Sequence, residues 1–322
     1  WRGRRLFSNR SFSISKMSYP LTESAIPQLL HWKNHSRKIA FKKYVFFFPL
    51  FTGPGILTRT LLNAGVRVVA LESHSVFLPN LQSLENSLDG QLKVIYGDFF
   101  RLDPLVTGPV KPPAVCSDQL FEAMGIAAVP WRADVPVKIF GILPQKKERN
   151  TLWRLLFILY EGSSIFRYGR VELNIFISEK EYKVLTAKPG ESRAYQALSV
   201  LCQVGCEIQL LHMVSLLYQL TCSCYKCWLP NDHLCLVRLT PQRDLFSGGL
   251  KPVNSATFIF MVKQCLAKRK SRLTDRLKKV DKYVDFGITD VYCTSNGGEL
   301  VCVQEIFTQF RRNNKVTTSL QV

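Results

Sequence analysis

The sequence predicts an α/β fold carrying a doubly wound, largely parallel sheet. Short runs rich in Val, Ile and Leu alternate with stretches whose apolar residues recur at helical spacing. These runs stop at glycines or acids, as the strands and helices of such sheets do. The 322 residues exceed what one small core requires and favour a large domain with an appendage. At 47% hydrophobic and 21% charged residues the composition is globular, which excludes wholesale disorder.

The elements follow in order. Gly53-Pro54-Gly55 opens a helix over 56–64, with Ile56, Leu57, Leu61 and Leu62 on one side and Gly65 as its stop. Residues 66–71 read as a buried strand ending at Glu72, and 76–88 as a helix closed by the Asp89-Gly90 turn. A second strand, 92–96, ends at Gly97-Asp98. Further strands are predicted at 137–142, 170–177 and 234–239, and helices at 151–160 and 193–203. After Pro241 the texture changes. Ser247-Gly248-Gly249 and Pro252 read as a hinge, followed by strongly basic helical sequence from Ala256 to about Lys282. The domain reading is a basic segment at 1–40, an α/β domain at 41–245 and a small, mainly helical domain at 246–322.

Charge indicates the class of partner. Lys and Arg number 43 against 24 Asp and Glu, a net +19 with a pI near 9.6. Such an excess does little for folding but attracts polyanions, because each phosphate contact releases a counterion. Nucleic acid is therefore the leading partner class, and a basic protein of a basic compartment is the plain alternative. Residues 1–20 carry Arg2, Arg4, Arg5, Arg10 and Lys16, several serines and no acid, the composition of a mitochondrial presequence or of a basic tail. Pro49, Arg154, Gln209 and His212 interrupt the apolar stretches, so no membrane-spanning helix is expected. The ten cysteines show no disulfide framework. Cys224 and Cys227 form half of a zinc site, but His233 and Cys235 are too close in sequence to complete it, and no metal is expected.

Two glycines at a helix mouth let a ligand approach the backbone. That signal is weak alone. Glu72 strengthens it, seventeen residues beyond Gly55 at the end of the next strand, where a carboxylate accepts from both ribose hydroxyls. Asp98 ends the following strand, placed to accept from an adenine amine. Two acids at successive strand ends behind Gly53 and Gly55 suit S-adenosylmethionine better than NAD, whose third fingerprint glycine is replaced by Thr58. Ordinary loop glycines and solvated acids remain the alternative.

Several motifs occur together and in order: Leu71-Glu72-Ser73, Val94-Ile95-Tyr96-Gly97-Asp98-Phe99-Phe100, the run 170–177, Ala197-Leu198-Ser199-Val200, the run 237–241 and the run 265–273. Together they resemble the rRNA adenine dimethyltransferase family. Phe41-Lys42-Lys43-Tyr44-Val45, the run from Asp98 to Pro104 and the run from Ala128 to Asp134 are similar to its mitochondrial branch. The resemblance implies a Rossmann-like S-adenosylmethionine methyltransferase sheet with a small C-terminal helical domain. It implies a donor site using Val45, Glu72 and Asp98, and a location in the mitochondrial matrix or nucleoid. It further implies partnership with the single-subunit mitochondrial RNA polymerase and promoter DNA in transcription initiation, with small-subunit rRNA as the alternative substrate. Lys268 and Arg269 fall on the family's paired DNA-contacting residues. Arg269, Arg272, Arg276 and Lys279 recur along one helix face, opposite Leu266, Leu273, Leu277 and Val280.

Two departures from the family stand out. Active members carry an Asn-Leu-Pro-aromatic loop that accepts from the target amine and stacks on the flipped base. The matching stretch here is Gly141-Ile142-Leu143-Pro144-Gln145. Ile142 has no acceptor and Gln145 no π face, so methylation is expected to be weak or lost, with no confident catalytic residue. The family also places a helix and its first strand between Tyr44-Val45 and the glycine loop. Residues 46–52 are too few for both, so the first strand is expected to be missing or replaced, leaving the sheet incomplete and the donor pocket damaged.

Overall fold

The computed structural model describes residues 44–48, 56–63, 65–88, 90–104, 112–123, 125–144, 147–191, 193–215 and 233–266, with the backbone alone at 44–48, 56, 57, 60, 214 and 215. Among these residues seven strands form one sheet in the order β3-β2-β1-β4-β5-β7-β6. They are β1 (Tyr44–Phe48), β2 (Arg67–Glu72), β3 (Leu92–Tyr96), β4 (Val137–Ile142), β5 (Glu172–Ser178), β6 (Cys206–Ser215) and β7 (His233–Pro241). The first five run parallel, and β7 inserts antiparallel between β5 and β6. The helices are α1 (Ile56–Asn63), α2 (Leu78–Asn86), α3 (Ser117–Glu122), α4 (Glu148–Glu161), α5 (Glu179–Thr186), α6 (Ala197–Gly205) and α7 (Ser255–Cys265).

Strand alternation divides the interior into two layers. Val69, Leu71, Val137, Ile139, Leu173, Ile175, Ile177, Val237 and Leu239 face the main core. There they meet Leu152, Leu155, Leu156 and Leu159 of α4, whose spacing makes one apolar stripe. Gly162, at φ +60°, ends that helix in the left-handed conformation that glycine adopts without steric cost. Phe258, Ile259 and Val262 of α7 enter the same core, so the described start of the predicted C-terminal segment packs on the α/β layers. The opposite face buries Val68, Ala70, Phe140, Phe176, Leu234 and Leu236 against Leu61 and Leu62 of α1.

Part of that second face is polar. The Glu172 carboxylate lies 3.1 Å from Lys138 Nζ and 3.6 Å from Arg238 Nε, and accepts from Asn174 Nδ2 at 3.0 Å. Arg238 also donates to Gln209 Oε1 at 3.1 Å, linking four strands through side chains. Buried charges are tolerated only when paired in this way.

The sheet corrects the expectation of a missing first strand. Tyr44–Phe48 takes the central position, with Tyr44 opposite Arg67 and Val137, and Phe47 opposite Ala70 and Phe140. Its residues are aromatic or β-branched, which suits a strand paired on both sides. The sheet therefore has no gap between β2 and β4. Besides β1, three described elements have no counterpart in the sequence expectations: α3, α5 and β6. In β6, Glu207, Gln209 and His212 interrupt the apolar pattern, and a register irregularity falls between Leu210 and His212. Such an irregular edge strand shows no clean alternation.

Glu172→Ala leaves Lys138 and Arg238 facing each other without their carboxylate. Denaturant unfolding should show a loss of about 3 kcal/mol. Tyr160→Phe, which removes the 2.7 Å donation to the Leu201 carbonyl, should cost about 1 kcal/mol.

Candidate nucleotide-binding site

Parallel strands end together, and their C-terminal ends form the crevice where open α/β sheets bind ligands. Glu72 is the last residue of β2 and pairs in register with Tyr96, the last of β3. Its side chain is 1% exposed and accepts from the His74 backbone N–H at 2.6 Å. Burial raises the Glu72 carboxyl above its ordinary value, and the His74 and Ser73 amides partly oppose that shift. The carboxylate is held by a backbone amide at the strand end where the sequence places a ribose-binding acid, and it is nearly closed off from solvent.

Asp98 stands two residues beyond Tyr96. Its carboxylate accepts from the Phe100 N–H at 2.9 Å and caps the short 3-10 turn Phe99–Arg101. Gly97, between the end of β3 and Asp98, passes close to Val115 and Leu71. A Cβ there would lie 2.3 Å from Val115 Cγ2 and 3.1 Å from Leu71 Cδ1, so only glycine lets the chain reach Asp98 by this path.

The segment after Asp98 is fastened on several sides. The Arg154 guanidinium of α4 donates to the Phe100 and Leu102 carbonyls. Asp103 Oδ1 accepts from the Ser117 N–H at 2.7 Å, and Oδ2 accepts from the Ser164 hydroxyl. Asp103 (φ +49°) and Ser164 (φ +53°) are the non-glycine residues with positive φ among those described. Each such conformation costs about 1–3 kcal/mol. The hydrogen bond between their side chains returns about 1 kcal/mol at an exposed position, so it does not offset the strain.

β4 ends at Ile142 and leads into the loop where the sequence resemblance places the family's base-binding stretch. Ile142 packs its side chain on the second-face cluster, and Leu143 is buried, donating its N–H to the Phe176 carbonyl at 3.1 Å. Pro144 accepts from the Lys147 N–H at 2.9 Å, leading into α4. No side-chain hydrogen-bond acceptor arises from residues 141–144.

Of the residues picked from sequence, the structure brings Glu72 and Asp98 to adjacent strand ends. Val45 is not brought there. It pairs with Val68 and Lys138, four residues short of the level of Glu72, or roughly 13 Å along the strand. The apolar run that forms β1 holds it in mid-sheet. Gly53, Gly55, Gln145, Lys268, Arg269, Arg272 and Arg276 lie outside the described residues. Arg154, Asp103 and Ser164 were not singled out for this role, because their partners are distant in sequence. Cys235 is buried in the main core, with its thiol pushed up to about 11 by burial.

The acceptor chemistry of Glu72 and Asp98 fits S-adenosylmethionine, whose ribose hydroxyls and adenine amine donate. Comparison with known proteins points the same way. A sequence profile described as ribosomal RNA adenine dimethylase matches residues 38–286. The chain is 41% identical to "Dimethyladenosine transferase 2, mitochondrial" of Bos taurus, over 89% of this chain and 76% of that protein. It is 42% identical to the Homo sapiens protein of that name, over 71% of this chain, and spans about 60% of that relative's length. "Mitochondrial dimethyladenosine transferase 1" of Bos taurus is 27% identical over 54% of the chain. A crystal structure of a dimethyladenosine transferase from Plasmodium falciparum shares the fold, with a TM-score of 0.51 and 13% identity over 82% of this chain and 76% of that one. The chain belongs to the ribosomal RNA adenine dimethylase family, on its mitochondrial branch.

Proposed function

We propose that this chain is a mitochondrial transcription initiation factor. It partners the single-subunit mitochondrial RNA polymerase and helps melt and hold promoter DNA, on a methyltransferase fold with weak or lost activity. One observation carries the reading: Ile142, an apolar side chain packed on the second-face cluster, stands where the family needs an acceptor for the target amine. The donor half of the site keeps Glu72 and Asp98, while the acceptor half has lost its chemistry. The net charge of +19 supports a polyanionic partner. The second reading, dimethylation of mitochondrial small-subunit rRNA with S-adenosylmethionine, is supported by the relatives' names and by those two acids.

If methyl transfer is lost, the unmodified chain gives little or no dimethylation of an RNA hairpin ending in adjacent adenines. Robust dimethylation by the same preparation would favour the second reading. Ile142→Asn with Gln145→Phe should raise the activity only if the donor pocket is intact.

Promoter holding is assigned to the basic sequence after α7. Lys268→Ala with Arg269→Ala should weaken single-stranded promoter binding uniformly across sequences. The salt slope should flatten by about 0.7 per lost phosphate contact. An unchanged slope with unchanged initiation would return these residues to an ordinary solvated surface.

Glu72 supplies a pH dependence with a defined sign. Its proton is held more tightly in the folded chain than in the unfolded one, because burial raises it above 4.5. Stability contributed by this group is thus greatest at low pH and falls as pH rises through the raised value. Ribose hydroxyls favour the ionised carboxylate, so S-adenosylmethionine binding should strengthen over the same rise. Calorimetry over the pH range above the ordinary carboxylate value should show both trends diminished in Glu72→Gln. Glu72→Ala should weaken donor binding at least about tenfold at neutral pH.

A further inference from the structure

The fastening of residues 98–103 is more elaborate than a surface turn requires. It begins at Asp98 and is held from three separate places: Arg154 on α4, the first N–H of α3 at Ser117, and Ser164 in the 3-10 turn Ser164–Tyr168. Leu102 is tied further by a parallel bridge to Val115, and the Asp103 N–H donates to the Val115 carbonyl at 3.0 Å. Both strained residues of the described chain belong to this one cluster. Strain persists where the surroundings over-determine a conformation, and it concentrates at sites that need a fixed geometry.

Arg154 suits this task. Its planar fork reaches two carbonyls at once, Phe100 and Leu102, which bracket the end of the 3-10 turn. Phe100 is also the residue whose N–H Asp98 accepts. Arg154 thus holds one side of a peptide segment whose other side fixes the Asp98 carboxylate. The charges of Asp103 and Asp98 face the guanidinium and favour its charged form against the effect of burial.

We propose that Arg154 is a positioning residue of the donor pocket, with Asp103 and Ser164 as its brace, and that it sets the Asp98 carboxylate toward the adenine amine of the methyl donor. The inference rests on the reading of Glu72 and Asp98 as a donor site and assigns them a support that sequence motifs do not mark. It also gives Asp103, in the motif from Asp98 to Pro104, a role of its own. Arg154 touches no ligand in this scheme; it acts through Phe100 and Asp98.

The test uses the full chain and two probes, S-adenosylmethionine and its 6-oxo analogue, which lacks the adenine amine. Arg154→Lys keeps the charge but loses the two-pronged grip. It should weaken S-adenosylmethionine binding about tenfold by calorimetry while changing the 6-oxo analogue less than about twofold. In an Asp98→Ala background the same substitution should add no further loss. Hydrogen exchange without ligand should be faster at the Phe100 and Asp103 amides in Arg154→Lys. Asp103→Asn, which tolerates the left-handed conformation, should shift both readouts the same way by a smaller amount. Equal losses for the two probes, or equal losses with and without Asp98, would make Arg154 a residue of the fold alone and overturn the proposal. Unchanged exchange at both amides would overturn the brace even where the donor binds. Absence of donor binding by the unsubstituted chain, with exchange altered as stated, would overturn the donor-site reading and this use of the brace together.

Discussion

The hydrogen-bonded pairing of β1 with β2 on one side and β4 on the other sets the level of everything above it. Because Tyr44–Phe48 is central, the ends of β2, β3 and β4 converge on one rim. Glu72 and Asp98 occupy that rim on neighbouring strands, and the 141–144 loop leaves it two places away in the sheet order. A slip of one residue in β1 would change its backbone partners on β2 and β4 together. The geometry of the rim is in this sense a consequence of strand register set below it.

The rim is chemically uneven. Its β2–β3 side offers two acids, one nearly inaccessible and held by backbone amides, the other capping a braced turn. Its β4 side offers an isoleucine packed on apolar neighbours, a buried leucine and a proline. A site for transferring a methyl group to an adenine needs both sides, because the amine must be held and desolvated beside the donor. A protein that uses the fold as a platform needs neither. Fold alone does not choose between these uses, so the choice falls to the residues at 142 and 145 and to the basic sequence beyond α7.

The parts of the fold that the sequence revealed are those with local signals. β3 and β4 match their predicted spans, since each is an apolar run bounded by turn residues or prolines. Glu72 and Asp98 were legible because strand-end acids are marked by the strands that precede them. β1 departs from expectation because its own aromatic and β-branched residues pair on both sides despite the short stretch before the glycine loop. The irregular edge strand β6 and the short α5 lack a sustained period. The clamp on residues 98–103 was hidden for a different reason: Arg154 is more than fifty residues from the carbonyls that it binds. A single sequence carries no trace of such a pairing, and neither does it mark Asp103 as a residue with positive φ.

The most direct test of the proposed function is initiation by a mitochondrial RNA polymerase reconstituted with this chain. Specific transcripts would be counted on a duplex promoter and on the same promoter opened in advance. Strong dependence on this chain is expected with the duplex and much weaker dependence with the opened template. Equal output with and without the chain on duplex DNA would contradict it.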